Sequence, residues 1–372
     1  MSLTLDCIMH QSFIIKLNLS ALNPISKAKE DSLHGDIYTI NYEEFKKIHD
    51  SLLDNNYTGN KFALRVIDYE QFRKRFVTPE QGLQNSVNVQ VTIANIGLAP
   101  KVYACGIFLS KKKEKKLFIL MDLTGPSLMT YIESKKDSTF INNMNWQQFL
   151  KLALNLTAPL RVLESINKQH CDIKPENYVS KLNSNLDEVL LIDFDMVADN
   201  NGCKGGNNLY SSPELFIMHH KAEIYTDLKP YRNDVYSLGL LFYTILLDSE
   251  DLLDNRKIFV EFNTELFINL KQNQNDLKAF YQKIDRSTLS MLNDPRNLGR
   301  NSLLYNDAKK NLKTNEISHK NEINKQVINL LIDMTKANPN ERITIEQVFQ
   351  QLNILYKLAQ QDSNQKQNNM RI

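Results

Sequence analysis

The sequence predicts an α+β fold, with strand patterns concentrated before residue 123 and helical patterns after it. Three observations support this. Ser12–Leu17, Asp36–Asn41, Lys61–Asp68, Val102–Leu109 and Leu117–Leu123 read as short apolar strands. Trp146–Lys168, Glu322–Lys336 and Ile345–Leu358 carry helical spacing. The length, 372 residues with 42% hydrophobic content, suits one two-lobed domain or two ordinary ones with a sizeable core.

Taken in order, residues 1–59 are the least legible. Tyr42–Asn55 has helical spacing, with Phe45, Ile48 and Leu52 on one face. Gly35 and Gly59 stand alone and read as turns. At Thr78-Pro79-Glu80-Gln81 a helix is expected to start: Thr can cap, Pro suits the first position and Gln81 can complete a capping box. Gly97 and Pro100 mark its end. The basic run Lys111–Lys116 reads as a solvated hairpin tip. Trp146–Lys168 is amphipathic and contains Pro159. Residues 248–320 are rich in Asn, Lys and Asp, with amphipathic pieces at Phe259–Leu270 and Leu277–Ile284. They form either a tolerated surface expansion or a partner-binding surface. Gln360–Ile372 is polar and expected to be disordered. The division expected is 1–59, a divergent start to the first lobe; 60–123, its core; 124–358, the second lobe with its 248–320 expansion; and 359–372, a tail.

Net charge is only +2, so bulk electrostatics makes no case for nucleic-acid or membrane binding. Cys7, Cys105, Cys171 and Cys203 are dispersed, which suggests neither a zinc site nor a disulfide framework. The start lacks a basic region followed by a long apolar one, and the apolar run near Leu238–Leu247 is too short to span a bilayer. The default expectation is a soluble intracellular, cytoplasmic protein.

The chemistry concentrates in His170-Cys171-Asp172-Ile173-Lys174-Pro175-Glu176-Asn177, followed after a polar hairpin and an apolar strand by Asp193-Phe194-Asp195. Phosphoryl transfer needs a carboxylate to orient the attacking hydroxyl, a cation for the γ-phosphate and oxygens for Mg²⁺. Asp172 can orient the hydroxyl and Lys174 can meet the phosphate. Asn177 and Asp193 are hard oxygen ligands of the kind Mg²⁺ takes. The bland alternative is a polar turn between a helix and a strand.

These two segments resemble the protein-kinase catalytic loop, H-R-D-x-K-x-x-N, and its metal-binding D-F-G. The Lys two residues after Asp172 is the serine/threonine form. The resemblance extends over roughly residues 60–356. Lys61–Asp68 looks like the family's V-A-I-K strand, with Arg65 in place of the phosphate-binding Lys. Phe118–Leu128 resembles the hinge, most like that of the casein-kinase-one group. It makes Met121 the gatekeeper and lets the backbone of Asp122, Leu123 and Thr124 meet adenine. Gly206–Glu214 resembles G-T-x-x-Y-x-A-P-E, and Glu214 is implied to form a buried pair with Arg342. Asp234-Val235-Tyr236-Ser237-Leu238-Gly239 resembles the start of the family's central helix, where Asp234 braces the catalytic loop. The resemblance implies a bilobal kinase-like fold, with a β-rich first lobe containing one helix (the family's αC) and a mainly helical second lobe. It implies ATP and Mg²⁺ as cofactors and a protein substrate or partner.

Departures gather in the first lobe. No G-x-G-x-x-G is present. The slot of the helical Glu that pairs with the strand Lys falls near Gln90, so Arg65 is expected to face a neutral amide there. Asp195 replaces the Gly of D-F-G and offers either an extra metal ligand or repulsion of phosphate; Asp tolerates left-handed backbone. Cys171 replaces the loop Arg that commonly receives an activation-segment phosphate, and Met196–Leu209 contains no Ser or Thr. Asn207 replaces the Thr that bridges the catalytic Asp and Lys. The first reading is a divergent serine/threonine-type kinase with Asp172 as base; the second is a pseudokinase that binds rather than turns over. A small-molecule kinase, whose metal motif often reads Asp-Phe-Asp, is disfavoured by Asp172-Ile173-Lys174 and by Ser212-Pro213-Glu214-Leu215 with Arg342.

Overall fold

A computed structural model describes residues 23–26, 35–41, 61–76, 78–110, 113–133, 144–199, 202–203, 209–215, 232–246, 282 and 319–369. The expected strand at Ser12–Leu17, the helix at Tyr42–Asn55, Asn207 and the two amphipathic pieces within 248–320 lie outside them. The chain divides into two compact units. The first is Met1–Gly125 with Val179–Asn185 and Leu190–Asp195; the second is Pro126–Tyr178, Leu186–Val189 and Met196–Ile372. The linear reading placed the return segments around 179–195 in the second lobe. Backbone bonds explain their place in the first unit: Leu191 donates to the Leu98 carbonyl at 2.9 Å and Gly125 to the Ser180 carbonyl at 2.8 Å.

The first unit is built on an antiparallel sheet of five strands in the order β1-β2-β3-β5-β4. These are β1 (Asn23–Ser26), β2 (Asp36–Asn41), β3 (Lys61–Asp68), β4 (Val102–Leu109) and β5 (Lys115–Asp122). β3 is central: Arg65 lies opposite Ile37 on one neighbour and Ile119 on the other. Gly35 leads into β2 with φ +73°, and a Cβ there would sit 2.3 Å from the Val66 carbonyl oxygen, so only glycine permits this approach to β3.

Two helices follow the same unit. α1 (Tyr69–Arg75) is capped by Asp68, whose carboxylate accepts the Gln71 amide at 2.9 Å. α2 (Pro79–Ala94) begins with proline in its first turn. The expected capping box does not form: the Thr78 hydroxyl donates to Gln81 Oε1 at 3.1 Å, which consumes the side chain that would have accepted a backbone N–H. α2 buries Leu83 and Val87 against Ile67, Phe72, Cys105, Leu117 and Ile119, the apolar cluster that fixes the helix to the sheet. Gly97 follows the helix at φ +78°.

The second unit is mainly helical. α3 (Leu128–Glu133) is short. α4 (Trp146–Ser165) starts with a complete capping box between Asn145 and Gln148 and runs through Pro159. Trp146 packs edge-on to Phe149, and Phe149 to Phe242. β6 (Lys168–Gln169) pairs with β9 (Ala198–Asp199). Between them in sequence comes the two-stranded ribbon β7 (Tyr178–Ser180) and β8 (Val189–Leu191), most of which belongs to the first unit. α5 (Asn233–Leu246) is buried almost throughout. A Cβ on Gly239 would come 2.8 Å from Thr335 Cγ2, so glycine allows α5 to approach the end of α6 (His319–Met334). α7 runs Ile345–Asn369, eleven residues beyond the Leu358 end read from sequence and into the expected disordered tail. No Gly or Pro follows Pro339, and the Gln, Lys and Asn run lacks a breaker, so the backbone helix continues after its apolar face ends.

Candidate active site

The catalytic-loop candidates lie between β6 and β7 in the second unit. All three polar side chains are buried, although the stretch is hydrophilic in composition. Such groups require internal partners, and they have them. Lys174 Nζ donates to Asp172 Oδ2 at 2.7 Å. Asn177 Nδ2 donates to the Asp172 carbonyl at 2.7 Å and to Oδ2 at 3.1 Å. The Asn177 amide nitrogen is thereby committed, and its oxygen is the end with ligand chemistry. Pro175–Asn177 is a single 3₁₀ turn, which brings Asn177 back over Asp172.

Asp234, at the start of α5, accepts the His170 amide at 2.5 Å and the Cys171 amide at 2.9 Å. Burial pushes its carboxyl up from the ordinary value, while the His170 ring and these two amides pull it back. Asn233 joins the brace: its amide donates to Gln169 Oε1 at 2.9 Å and its side-chain oxygen accepts the Ser212 amide at 3.0 Å. Further along the same unit, Arg342 grips Glu214 with two bonds, Nη1 to Oε1 at 2.5 Å and Nη2 to Oε2 at 2.6 Å, with both side chains wholly buried. Arg342 also donates to the Lys336 and Ala337 carbonyls, so the guanidinium is satisfied on several sides.

The sequence reading saw no disulfide, but Cys171 and Cys203 are bonded, with Cα atoms 5.6 Å apart. Spacing alone could not reveal this, because the partners are 32 residues apart and β7, β8 and β9 fold between them. Cys171 therefore carries no free thiol. It is almost fully buried at φ +67° and packs with Cys203 and Leu215 beside Met196 and Ala198.

In the first unit Arg65 has a different partner from the one the sequence suggested. It pairs two-pronged with Asp195, Nη1 to Oδ1 at 3.2 Å and Nη2 to Oδ2 at 2.6 Å. The same Nη2 lies 3.1 Å from Asp193 Oδ1. Ser86 on α2 donates to Asp195 Oδ1 at 3.1 Å. The side-chain amide nitrogen of Gln90, proposed as the facing group, instead donates to the Pro100 carbonyl at 3.1 Å and approaches Met121 Sδ at 3.7 Å. A formal charge outcompetes a neutral amide for a buried guanidinium. Burial opposes the Arg65 charge, but Asp195 and then Asp193 outweigh it and raise the guanidinium pKa. Burial, aided by the Asp193 charge, pushes the Asp195 carboxyl up against the pull of Arg65.

Asp195 does not use the left-handed conformation that Asp tolerates; Asp193 does, at φ +64°. Asp195 sits within the 3₁₀ turn Phe194–Met196. Ser86 escaped the sequence reading, although it lies one helical turn before Gln90, on the same face of α2. In the hinge the Asp122 carboxylate accepts the Tyr103 hydroxyl at 2.7 Å and the Lys101 amide at 2.9 Å. The Asp122 amide donates to the Lys101 carbonyl at 3.0 Å. Met121, near the end of β5, is half-buried.

A five-stranded sheet with a helix packed on it, then a helical unit whose Asp-x-Lys-x-x-Asn loop is braced from a central helix, defines a phosphotransferase-like class of fold. Residues 52–353 match the protein kinase domain, and the chain belongs to that family. It is 31% identical over 110 residues to a probable serine/threonine-protein kinase of Dictyostelium discoideum, covering 27% of this chain and 8% of that one. Over 157 residues it is 24% identical to the serine/threonine-protein kinase dkf-1 of Caenorhabditis elegans, 42% of this chain and 20% of that one. A serine/threonine-protein kinase of Drosophila melanogaster is 24% identical over 195 residues, 51% of this chain and 23% of its own. The matched stretches therefore span less than a quarter of each relative. Among the described residues, no helix is long and apolar enough to cross a membrane.

Proposed function

We propose that the chain transfers the γ-phosphoryl group of ATP to a serine or threonine hydroxyl of a protein substrate. The observation that carries this reading is the loop itself: Asp172 is buried, held by Lys174 and Asn177, and braced through Asp234. Phosphoryl transfer depends on placement and fixed charge more than on covalent chemistry, and a loop held at this many points loses little to reorganisation. Asp172 orients the substrate hydroxyl and accepts its proton as the new oxygen–phosphorus bond forms and the bond to the departing ADP oxygen breaks. Lys174 stabilises charge on the transferred group. Asn177 and Asp193 are the residues that would hold Mg²⁺, and their donor set of one amide oxygen and one carboxylate is the hard-oxygen chemistry Mg²⁺ takes. When bound, Mg²⁺ neutralises phosphate charge. Arg65 supplies positive charge for the α- and β-phosphates; Met121 and the backbone of Asp122, Leu123 and Thr124 receive adenine.

The test is thermal unfolding with ATP, with and without Mg²⁺, on wild type and Asp193→Ala. A ligand at about a hundred times its Kd stabilises by roughly 2.7 kcal/mol. The expected result is a Mg²⁺-dependent shift that Asp193→Ala loses; no shift under any condition refutes the reading. A second reading, a binding module with little turnover that engages a protein partner through 248–320, is favoured by one observation. The stretch between β1 and β2, residues 27–35, holds one glycine, Gly35, and no G-x-G-x-x-G with which backbone can cradle phosphates. Deleting 248–320 would then abolish partner capture while leaving nucleotide binding intact.

A further inference from the structure

We infer that Asp195 is a positioning residue of the nucleotide site, supplying from the segment after β8 the carboxylate that α2 does not. The inference rests on the functional reading above and deepens it. Arg65, Gln90 and Asp195 look like three separate losses in the sequence, yet the geometry makes them one relocation. Arg65 stands on the central strand and is 5% exposed, so its guanidinium needs a fixed counter-charge. Asp195, 6% exposed, meets it with both oxygens. Ser86 holds one of those oxygens, which ties the pair to α2 without a charged residue on the helix. The Gln90 amide nitrogen, one turn further along, serves the Pro100 carbonyl and Met121.

The choice of Arg belongs to the same arrangement. A guanidinium presents a fork that grips one carboxylate with two nitrogens and still reaches a second group; an ammonium is a point charge. Arg65 Nη2 does this, at 2.6 Å from Asp195 and 3.1 Å from Asp193. Asp195 thus anchors the cation that sits against Asp193, the proposed metal ligand, and sets where the Asp193 carboxylate points. It acts through Arg65 and not on substrate. It need not be a further metal ligand, because both its oxygens already carry hydrogen bonds within the protein.

The experiment measures Mg²⁺-ATP affinity by titration calorimetry on the full chain, with unfolding curves as a folding control. The variants are Asp195→Asn, Gln90→Glu/Asp195→Gly and Arg65→Lys/Gln90→Glu/Asp195→Gly. Loss of a group that orients a metal ligand typically costs on the order of 10–100-fold in metal affinity, and Asp195→Asn is expected to weaken Mg²⁺-dependent binding by that factor. Moving the carboxylate back to α2 in the double or triple variant is expected to recover most of it, which a merely structural role for Asp195 would not. The recovery remains readable if Asp195→Asn folds poorly. Wild type that binds with Asp195→Asn equally tight overturns the role of Asp195 alone, as does failure of both folded multiple variants to recover binding. Wild type that binds no nucleotide overturns the functional reading and this role together.

Discussion

Replacing Cys203 by Ala opens the bond that joins the catalytic loop to the segment after β9. The cost follows from the loop it closes. A cross-link over a sequence separation of 32 residues removes unfolded-chain entropy worth about 3.7 kcal/mol at 25 °C. Alanine keeps the site apolar among Leu215, Met196 and Ala198, so the loss is expected to be close to that figure, with little added desolvation. At a urea dependence of roughly 3 kcal/mol per molar, the midpoint of the second unit falls by about 1 M. The assay is urea unfolding of wild type and variant, each with and without dithiothreitol, beside thiol titration of the denatured chains. Of four cysteines, wild type prepared without reductant should expose two thiols, Cys7 and Cys105. Reductant should bring wild type down to the variant, while the Asp234 brace on His170 and Cys171 stays in place because it uses backbone amides. Four titratable thiols in unreduced wild type, or a midpoint indifferent to reductant, would refute the reasoning.

Two more outcomes are expected. Glu214→Gln leaves the wholly buried Arg342 without its counter-charge and should cost about 3–5 kcal/mol in equilibrium unfolding, whereas an exposed pair such as Lys151 with Asp187 should lose under about 1 kcal/mol on Asp187→Asn. Asp68→Asn keeps a cap for α1 but removes the ion pair with Lys116 at 2.7 Å, a partly exposed contact worth about 0.2–1 kcal/mol. Burial acts to raise the Asp68 carboxyl, but Lys116 and the Gln71 amide outweigh it and hold it below the ordinary value. A depressed folded pKa contributes stability above the unfolded value of about 3.9, and that stability is lost as pH falls through the folded pKa. The difference between wild type and Asp68→Asn should accordingly be constant from neutral pH to about 5 and close below about 4, read as the gap between their melting temperatures across that range.

What sequence determined is what lies close together along the chain. Asp172, Lys174 and Asn177 fall within six residues, so their order alone prescribes a turn that gathers one carboxylate, one cation and one amide. Glu214 and Arg342 were legible from farther apart because each sits in its own recognisable local pattern. The strand at Lys61–Asp68 and the helix starting at Pro79 were legible because apolar alternation and a proline in the first turn act locally. Tertiary structure decided the rest wherever a buried group had to choose among distant partners. Arg65 and Asp195 are 130 positions apart, and only the return of the chain after β8 makes a charge available to outcompete Gln90. Cys171 and Cys203 carry no spacing signal, and their bond exists because β6 pairs with β9 and brings the flanking loops together. The left-handed backbone at Asp193 and the 3₁₀ turn Phe194–Met196 that holds Asp195 likewise carry no signal in local residue type. Local pattern specifies elements and loops through near-neighbour sterics and hydrogen bonds; the pairing of buried charges depends on which groups the packed fold removes from water together.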